Sequence, residues 1–420
     1  MKIDDMVEEF RSRLDYLQKR PVRVKSKEQF ARIKLDYFEE VRDAQKKGKS
    51  VVWVVWSVPS EILVALDLVV FIPEQYSIQM STVSPELTMG YIELAQAHGM
   101  ADEICRPHQS TTGMAISREV ITPDCLISST VPCDSYLMLF EVCSNIYKRP
   151  TFYLHIPTAA WETPGEEQVE YYQRQLEELI RFLEEHTGRR MDPARLREVA
   201  EISRKTNNYH VRIQQELRKA VPAPLTGREG ISSFGILYHC RGRPEALEYY
   251  ETLYQEKKES AERREAPLAE EKYRVGWVGA LPYWKLTILD WMKKEHNTEV
   301  VLDINNSMPE PEIEEGLEPL QVIARRVLGY PGLRICYPYS AWREGFLHNC
   351  REFKLDAMIL YGHPGCANLG GVYNMMKNDL RERLGIPTLT IDGDPIDPRV
   401  VSLEEQRRRI EDFLVTVVKK

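Results

Sequence analysis

The sequence has no long apolar run. Its best candidate, Ile62 to Ile72, is interrupted by Asp67 and falls short of the ~20 residues that a membrane-spanning helix requires. The opening stretch MKIDDMVEEF is acidic and amphipathic, without the apolar core and cleavage site of a secretory signal. A cytoplasmic protein with no membrane partner is therefore expected. A basic surplus is missing too. Lys plus Arg is 56 against 64 Asp plus Glu, a formal net charge of -8 that argues against a nucleic-acid partner. There is no CxxC pair to make a local metal site. The phosphate loop GxxxxGK[ST], a GxGxxG after the first strand, GxSxG and HExxH are also absent, which lowers nucleotide-binding, hydrolase and zinc-protease readings.

What is present is an ordinary globular composition. Hydrophobic residues make up 43% of 420 positions, enough for two or three packed domains at roughly 150 residues each. In a reducing compartment the eight cysteines are expected as free thiols or metal ligands, not disulfides. Residues 1–50 are charged, nearly free of Gly and Pro, and carry apolar residues at helical intervals, so an N-terminal helical segment is expected. The period then changes. Val51–Trp56, Leu68–Ile72, Cys125–Thr130 and Thr151–Ile156 are short apolar runs separated by helix-like stretches, the pattern of a buried parallel sheet. These define a first α/β lobe over 51–165. Residues 166–265 carry no strand signal and read as a helical region, with one helix ending at Gly188 and another starting at Asp192 and Pro193. Arg274–Gly279, Val300–Ile304, Met358–Gly362 and Thr388–Gly393 restore the alternation and define a second α/β lobe over 266–420. The expected fold is α/β, with two parallel-sheet lobes of the Rossmann-like or flavodoxin-like kind and the site in the cleft between them.

Ligands of open α/β sheets bind outside the carboxyl ends of the strands, and that rule sorts the cysteines. Cys133 follows a strand in the turn STVPCD, and Cys366 follows another in GHPGCANLGG. Cys105 lies in EICRPHQSTTG, which reads as a comparable turn. Backbone amides and helix N-termini in such turns can stabilise thiolates and donate hydrogen bonds to cluster sulfides. Ordinary cysteines placed by chance remain the alternative on spacing alone. Cys125 begins its strand, and five or six residues at ~3.3 Å each set it well over about 15 Å from Cys133. Cys143 and Cys350 share helix faces with large apolar residues and read as core. Cys336 is in a loop that could reach the strand ends, and Cys240 is undecided. His108 and His363 flank the cysteine turns, where each could supply a proton or simply be a structural loop histidine.

From about Val51 to its end the chain resembles the 2-hydroxyacyl-CoA dehydratase/benzoyl-CoA reductase family. The segments that carry the resemblance are SVPSEILVALDLVVFIPE, EICRPH, PDCLISSTVPCDSYLMLFE, HIPTAAWETPG and LDAMILYGHPGCANLGGVYNMMKNDLRERLGIPTLTIDGD, in that order. The resemblance implies an iron–sulfur cluster in the cleft on three family cysteines, which fall on Cys105, Cys133 and Cys366. It also implies a separate ATP-hydrolysing activator of the acetate-kinase type with its own [4Fe–4S] cluster. Within the family the chain is similar to the double-cubane cluster proteins, whose [8Fe–9S] cluster takes six cysteines. That likeness adds Cys336, then Cys240 and Cys350, as metal ligands. The implied function is an ATP-dependent oxidoreductase component, a homodimer, that reduces small molecules of the acetylene, hydrazine or azide type. The alternatives are a [4Fe–4S] subunit of a 2-hydroxyacyl-CoA dehydratase or aryl-CoA reductase, and a non-catalytic electron-storage protein.

Overall fold

The computed structural model describes residues 3–157, 164–268, 270–303, 311–334 and 337–418. All eight expected strands form: β1 Val51–Val54, β2 Val69–Phe71, β3 Cys125–Ser129, β4 Thr151–Leu154, β5 Tyr273–Gly279, β6 Thr298–Asp303, β7 Ala357–Gly362 and β8 Thr388–Asp392. Ile304, expected at the end of the sixth, lies outside the described residues. They make two parallel four-stranded sheets, ordered β2-β1-β3-β4 and β6-β5-β7-β8. The second order is the first repeated, so the two lobes have one topology.

The fully apolar runs become strands because helices cover both sheet faces, and β1, β2, β3 and β6 are buried along their whole length. In each sheet the chain leaves the second-written strand in one direction and returns on its other side. The resulting switch points lie between β1 and β3 and between β5 and β7, where crevices open at the carboxyl ends. In the second lobe β7 sends Met358 and Leu360 into one apolar cluster and Ala357, Ile359 and Tyr361 into another, as strand alternation requires.

Helices Ile3–Gln18 and Lys25–Asp43 pair at the N-terminus. The central region contributes Glu166–Thr187, Pro193–Arg212, Gly227–Cys240 and Pro244–Glu262. The first ends at Gly188, whose φ of 70° is the left-handed cap conformation that glycine adopts without penalty. The second starts with the Asp192 carboxylate accepting from the Ala194 amide at 2.9 Å. Residues 106–113, expected as part of a turn, belong instead to helix Arg106–Ser117, with Pro107 in its first turn. That proline is itself a helix-start signal.

These helices share one apolar core with the first sheet. The core also takes Ile323, Ala324, Val327 and Leu328 from helix Pro319–Gly329, which comes from the second half of the chain. A buried ion pair marks the junction. Arg326 reaches Glu61 with Nε at 2.6 Å from Oε1 and Nη2 at 3.0 Å from Oε2, and the Ser203 hydroxyl donates to Oε1 at 2.6 Å. Burial opposes ionisation of Glu61, but Arg326 and Arg241 outweigh it and hold its pKa below the ordinary value. Arg326→Met, leaving that buried carboxylate without its bidentate partner and with only Arg241 in support, is expected to cost about 3 kcal/mol in chemical denaturation. Combining it with Glu61→Gln is expected to recover much of the loss.

His210 is buried, and burial first, then Arg241 and Arg218, hold its pKa down at about 3. Between that value and the ordinary ~6.5 the unfolded chain binds a proton that the folded chain refuses, so stability falls as pH drops through this window. His210→Phe is expected to flatten that slope in denaturation midpoints measured from pH 7 to pH 4.

Candidate metal centre

The carboxyl ends of β3 and β7 face one cavity of ≈ 380 Å³, lined by Cys105, Cys133, Cys366, His108, His363 and Glu74, among others. Each cysteine is set by its local chain. After β3, the Val131 carbonyl accepts from Ser57 Oγ at 2.9 Å and from Ser129 Oγ, which fixes the turn that delivers Cys133. Cys105 is the N-cap of helix Arg106–Ser117, and Cys366 precedes the single turn Ala367–Gly370. Contacts across the cleft draw these pieces together. Asn368 Nδ2 donates to the Pro132 carbonyl at 2.8 Å, and His363 Nε2 lies 3.4 Å from Cys105 Sγ. A Cβ on Gly365 would meet Cys105 Cα at 2.8 Å, so only glycine lets the two backbones approach this closely.

A polar chain runs along the first-lobe wall. Cys133 Sγ is 3.2 Å from Ser135 Oγ, which is 2.8 Å from His108 Nδ1. Among the described residues His108 Nε2 has no hydrogen-bond partner, and it lies 3.9 Å from Glu74 Oε1. Tyr136 donates its hydroxyl proton to Glu74 Oε2. On the other wall Asp394 Oδ2 stands 3.1 Å from His363 Nδ1, while its Oδ1 accepts the amides of Ile396 and Asp397 at 3.0 and 2.9 Å.

Burial dominates the electrostatics. It pushes the Cys133 thiol up to about 12 and raises Cys366; Cys105 goes well above its ordinary value through burial, then Glu74, Cys133 and Cys366. Burial also lifts Glu74 to about 7, against the Tyr136 hydrogen bond, and holds His108 down at about 3 with help from His363. None of the described residues lining the cavity is Lys or Arg. The positive charge needed to ionise three neighbouring thiols must therefore arrive with a bound group, which suits a metal centre. Among the described residues no three His, Cys, Asp or Glu side chains are close enough to hold one metal ion. A multi-iron cluster fits such a set, because each thiolate binds its own iron.

The structure thus brings together Cys105, Cys133, Cys366, His108 and His363. It does not bring Cys240 or Cys350 to them. Cys350 lies on the core stripe of helix Tyr339–Glu352 with Trp342 and Phe346. Cys240 lines a separate cavity with Tyr37 and Arg243; Tyr238, two residues earlier and about 200° around the helix, is the side chain that reaches the cleft. Cys125 and Cys143 are buried in the first-lobe core, and Cys336 lies outside the described residues. Sequence reasoning overlooked Glu74 and Asp394. Both follow strand ends, and the rule that selected the cysteines applies equally to carboxylates.

Two parallel-sheet lobes with a thiol-lined cleft at their switch points define a class of two-lobed α/β proteins built to hold a prosthetic group. Residues 55–415 match the family described as 2-hydroxyglutaryl-CoA dehydratase, D-component. The chain belongs to that family, and is an enzyme component as expected. It is 23% identical over 396 residues to the (R)-phenyllactyl-CoA dehydratase alpha subunit of Clostridium sporogenes, covering 90% of this chain and 92% of the relative. It is 24% identical over 391 residues to a benzoyl-CoA reductase subunit of Thauera aromatica, covering 86% and 87%. The (R)-2-hydroxyglutaryl-CoA dehydratase alpha subunit of Acidaminococcus fermentans is 24% identical over 295 residues, 70% of this chain and 60% of that one. Among the described residues no helix is long and apolar enough to cross a membrane.

Gly365→Ala is expected to part Cys105 from Cys366 and lower the iron retained per chain after anaerobic reconstitution. Gly370→Ala, whose Cβ would meet no atom within 4 Å, is expected to leave it unchanged.

Proposed function

We propose that the chain is the iron–sulfur subunit of an enzyme acting on a CoA thioester, a 2-hydroxyacyl-CoA dehydratase or an aryl-CoA reductase, fed with electrons by a separate ATP-hydrolysing activator. The observation that carries this reading is the convergence of Cys105, Cys133 and Cys366 on one interlobe cavity, in a chain whose relatives are CoA dehydratase and reductase subunits. The reduction of acetylene, hydrazine or azide finds no support in those relatives. The designation of the dehydratase relatives as alpha subunits favours a heteromeric enzyme over a homodimer.

Cys105, Cys133 and Cys366 would hold the cluster. The cysteine count supports [4Fe–4S] over the [8Fe–9S] double cubane. Cys125, Cys143, Cys240 and Cys350 are packed away from the cavity, so this chain has at most Cys336 to add to the three, short of a double cubane's six. When bound, the cluster supplies one-electron reducing power and a Lewis-acidic iron. The surrounding residues handle protons. With Cys133 as a thiolate, Ser135 donates to its sulfur and His108 Nδ1–H donates to Ser135, which leaves His108 Nε2 as a bare acceptor 3.9 Å from Glu74 Oε1. Glu74, buried and poised near neutrality, carries a proton at the same wall and is oriented by Tyr136. Such a pair can take a proton from one substrate position and return it at another.

Anaerobically purified protein is expected to carry about four irons and as many sulfides per chain. With activator and ATP it is expected to turn over a 2-hydroxyacyl-CoA or aryl-CoA. About eight irons would restore the double-cubane reading, and an iron-free, colourless protein would overturn both. Glu74→Gln is expected to slow turnover about 10²–10⁴-fold with iron content kept; unchanged turnover removes Glu74 from the reaction.

A further inference from the structure

A second cavity, of ≈ 280 Å³, lies between the N-terminal helices, the central helices and helix Thr287–His296 of the second lobe. Arg228 lines it near the start of helix Gly227–Cys240, whereas Tyr238 of the same helix lines the cleft. At about 1.5 Å per residue the two cavities are roughly 15 Å apart along that helix.

Four cations and two carboxylates line the second cavity: Arg13, Lys27, Arg228 and Lys293, with Glu229 and Asp290. Both carboxylates are engaged. Asp290 pairs with Arg228, and Glu229 takes Lys257 at 3.0 Å and Lys27 at 3.4 Å. Among the described residues, Arg13 and Lys293 have no ion-pair partner within 4.0 Å. The Arg13 guanidinium lies 5.5 Å from the centroid of Phe30. Partial loss of hydration first, and then the facing Arg228, depress its pKa, with Glu9 in opposition. Phe30 and Tyr249, ring centroids 6.3 Å apart, add an aromatic wall beside Leu253.

We propose that this cavity binds a small phosphate-bearing molecule, with its phosphate between Arg13 and Lys293 and its apolar part against Phe30 and Tyr249. Arg13 is solvent-exposed and Lys293 half-buried with Glu299 nearby, and two cations on separate segments suit an anion of two charges, which a phosphate ester or diphosphate carries and a single carboxylate does not. A guanidinium fork matches phosphate oxygens in pairs, and a lysine ammonium completes the contact as a point charge. The cavity volume falls just below the range for small-molecule sites, about 300–1,000 Å³, which suits a small ligand. Because the lining comes from the N-terminal hairpin, the central helices and the second lobe, the ligand ties three segments together and stabilises the folded chain.

The test is calorimetric titration of the full chain at low ionic strength with two ligands, pyrophosphate and ADP, alongside their effect on Tm. Saturable binding that raises Tm is expected. Arg13→Gln and Lys293→Gln are each expected to raise Kd about tenfold, the equivalent of one charged contact. Arg195→Gln, which removes the same charge from an exposed site paired with Glu198, is expected to change nothing. Lys293→Gln alone decides the matter where the arginine variant does not fold. Absence of saturable binding for both ligands, or binding that neither variant weakens, overturns the proposal; the second result moves the site elsewhere, the cleft included.

Discussion

Three half-buried thiols share one cavity, Cys133 and Cys366 both oppose ionisation of Cys105, and among the described residues the wall has no lysine or arginine to relieve it. That electrostatic condition organises the rest of the site. It requires the bound group to bring its own positive charge. For the proposed cluster, the same lack of cations would oppose a further electron and so favour a low potential. The polar groups that are present, Ser135 and the backbone amides behind Cys366, modulate this without reversing it.

The geometry behind that condition is simple. Parallel strands all end in the same direction, so each sheet presents its turns as one rim, and two sheets of identical order present two rims. The Asn368–Pro132 hydrogen bond and the close approach of Gly365 to Cys105 bring the rims together. Cys133 and Cys366 occupy corresponding places after the third strand of each lobe, while Cys105 comes from the start of the helix that precedes the first lobe's third strand.

Much of this was legible beforehand. Strands such as Val51–Val54 and Cys125–Ser129 are buried on both faces, and nothing but a run of β-branched and apolar residues survives there, so the pattern is strong. Strand-end logic found Cys133 and Cys366 for the same reason. Other features are set by tertiary contacts and left weaker marks. Glu74 reads as an ordinary first-turn acid until the cleft removes its water. The face that Cys240 presents depends on helix phase: a two-residue offset from Tyr238 reverses it. Helix Arg106–Ser117 was obscured because its Ser, Thr and Gly content resembles a loop, although Pro107 sat in its first turn.

The insertion of Arg326 and its helix into the first-lobe core also bears on how the chain is made. Glu61 emerges from the ribosome some 265 residues before its guanidinium partner. Until residues 323–333 follow, the earlier lobe has an open apolar flank and an acid without its bidentate partner in it. The N-terminal lobe is thus not a unit that matures alone during synthesis; it closes only when the second is largely built, which ties assembly of the cleft to completion of the polypeptide.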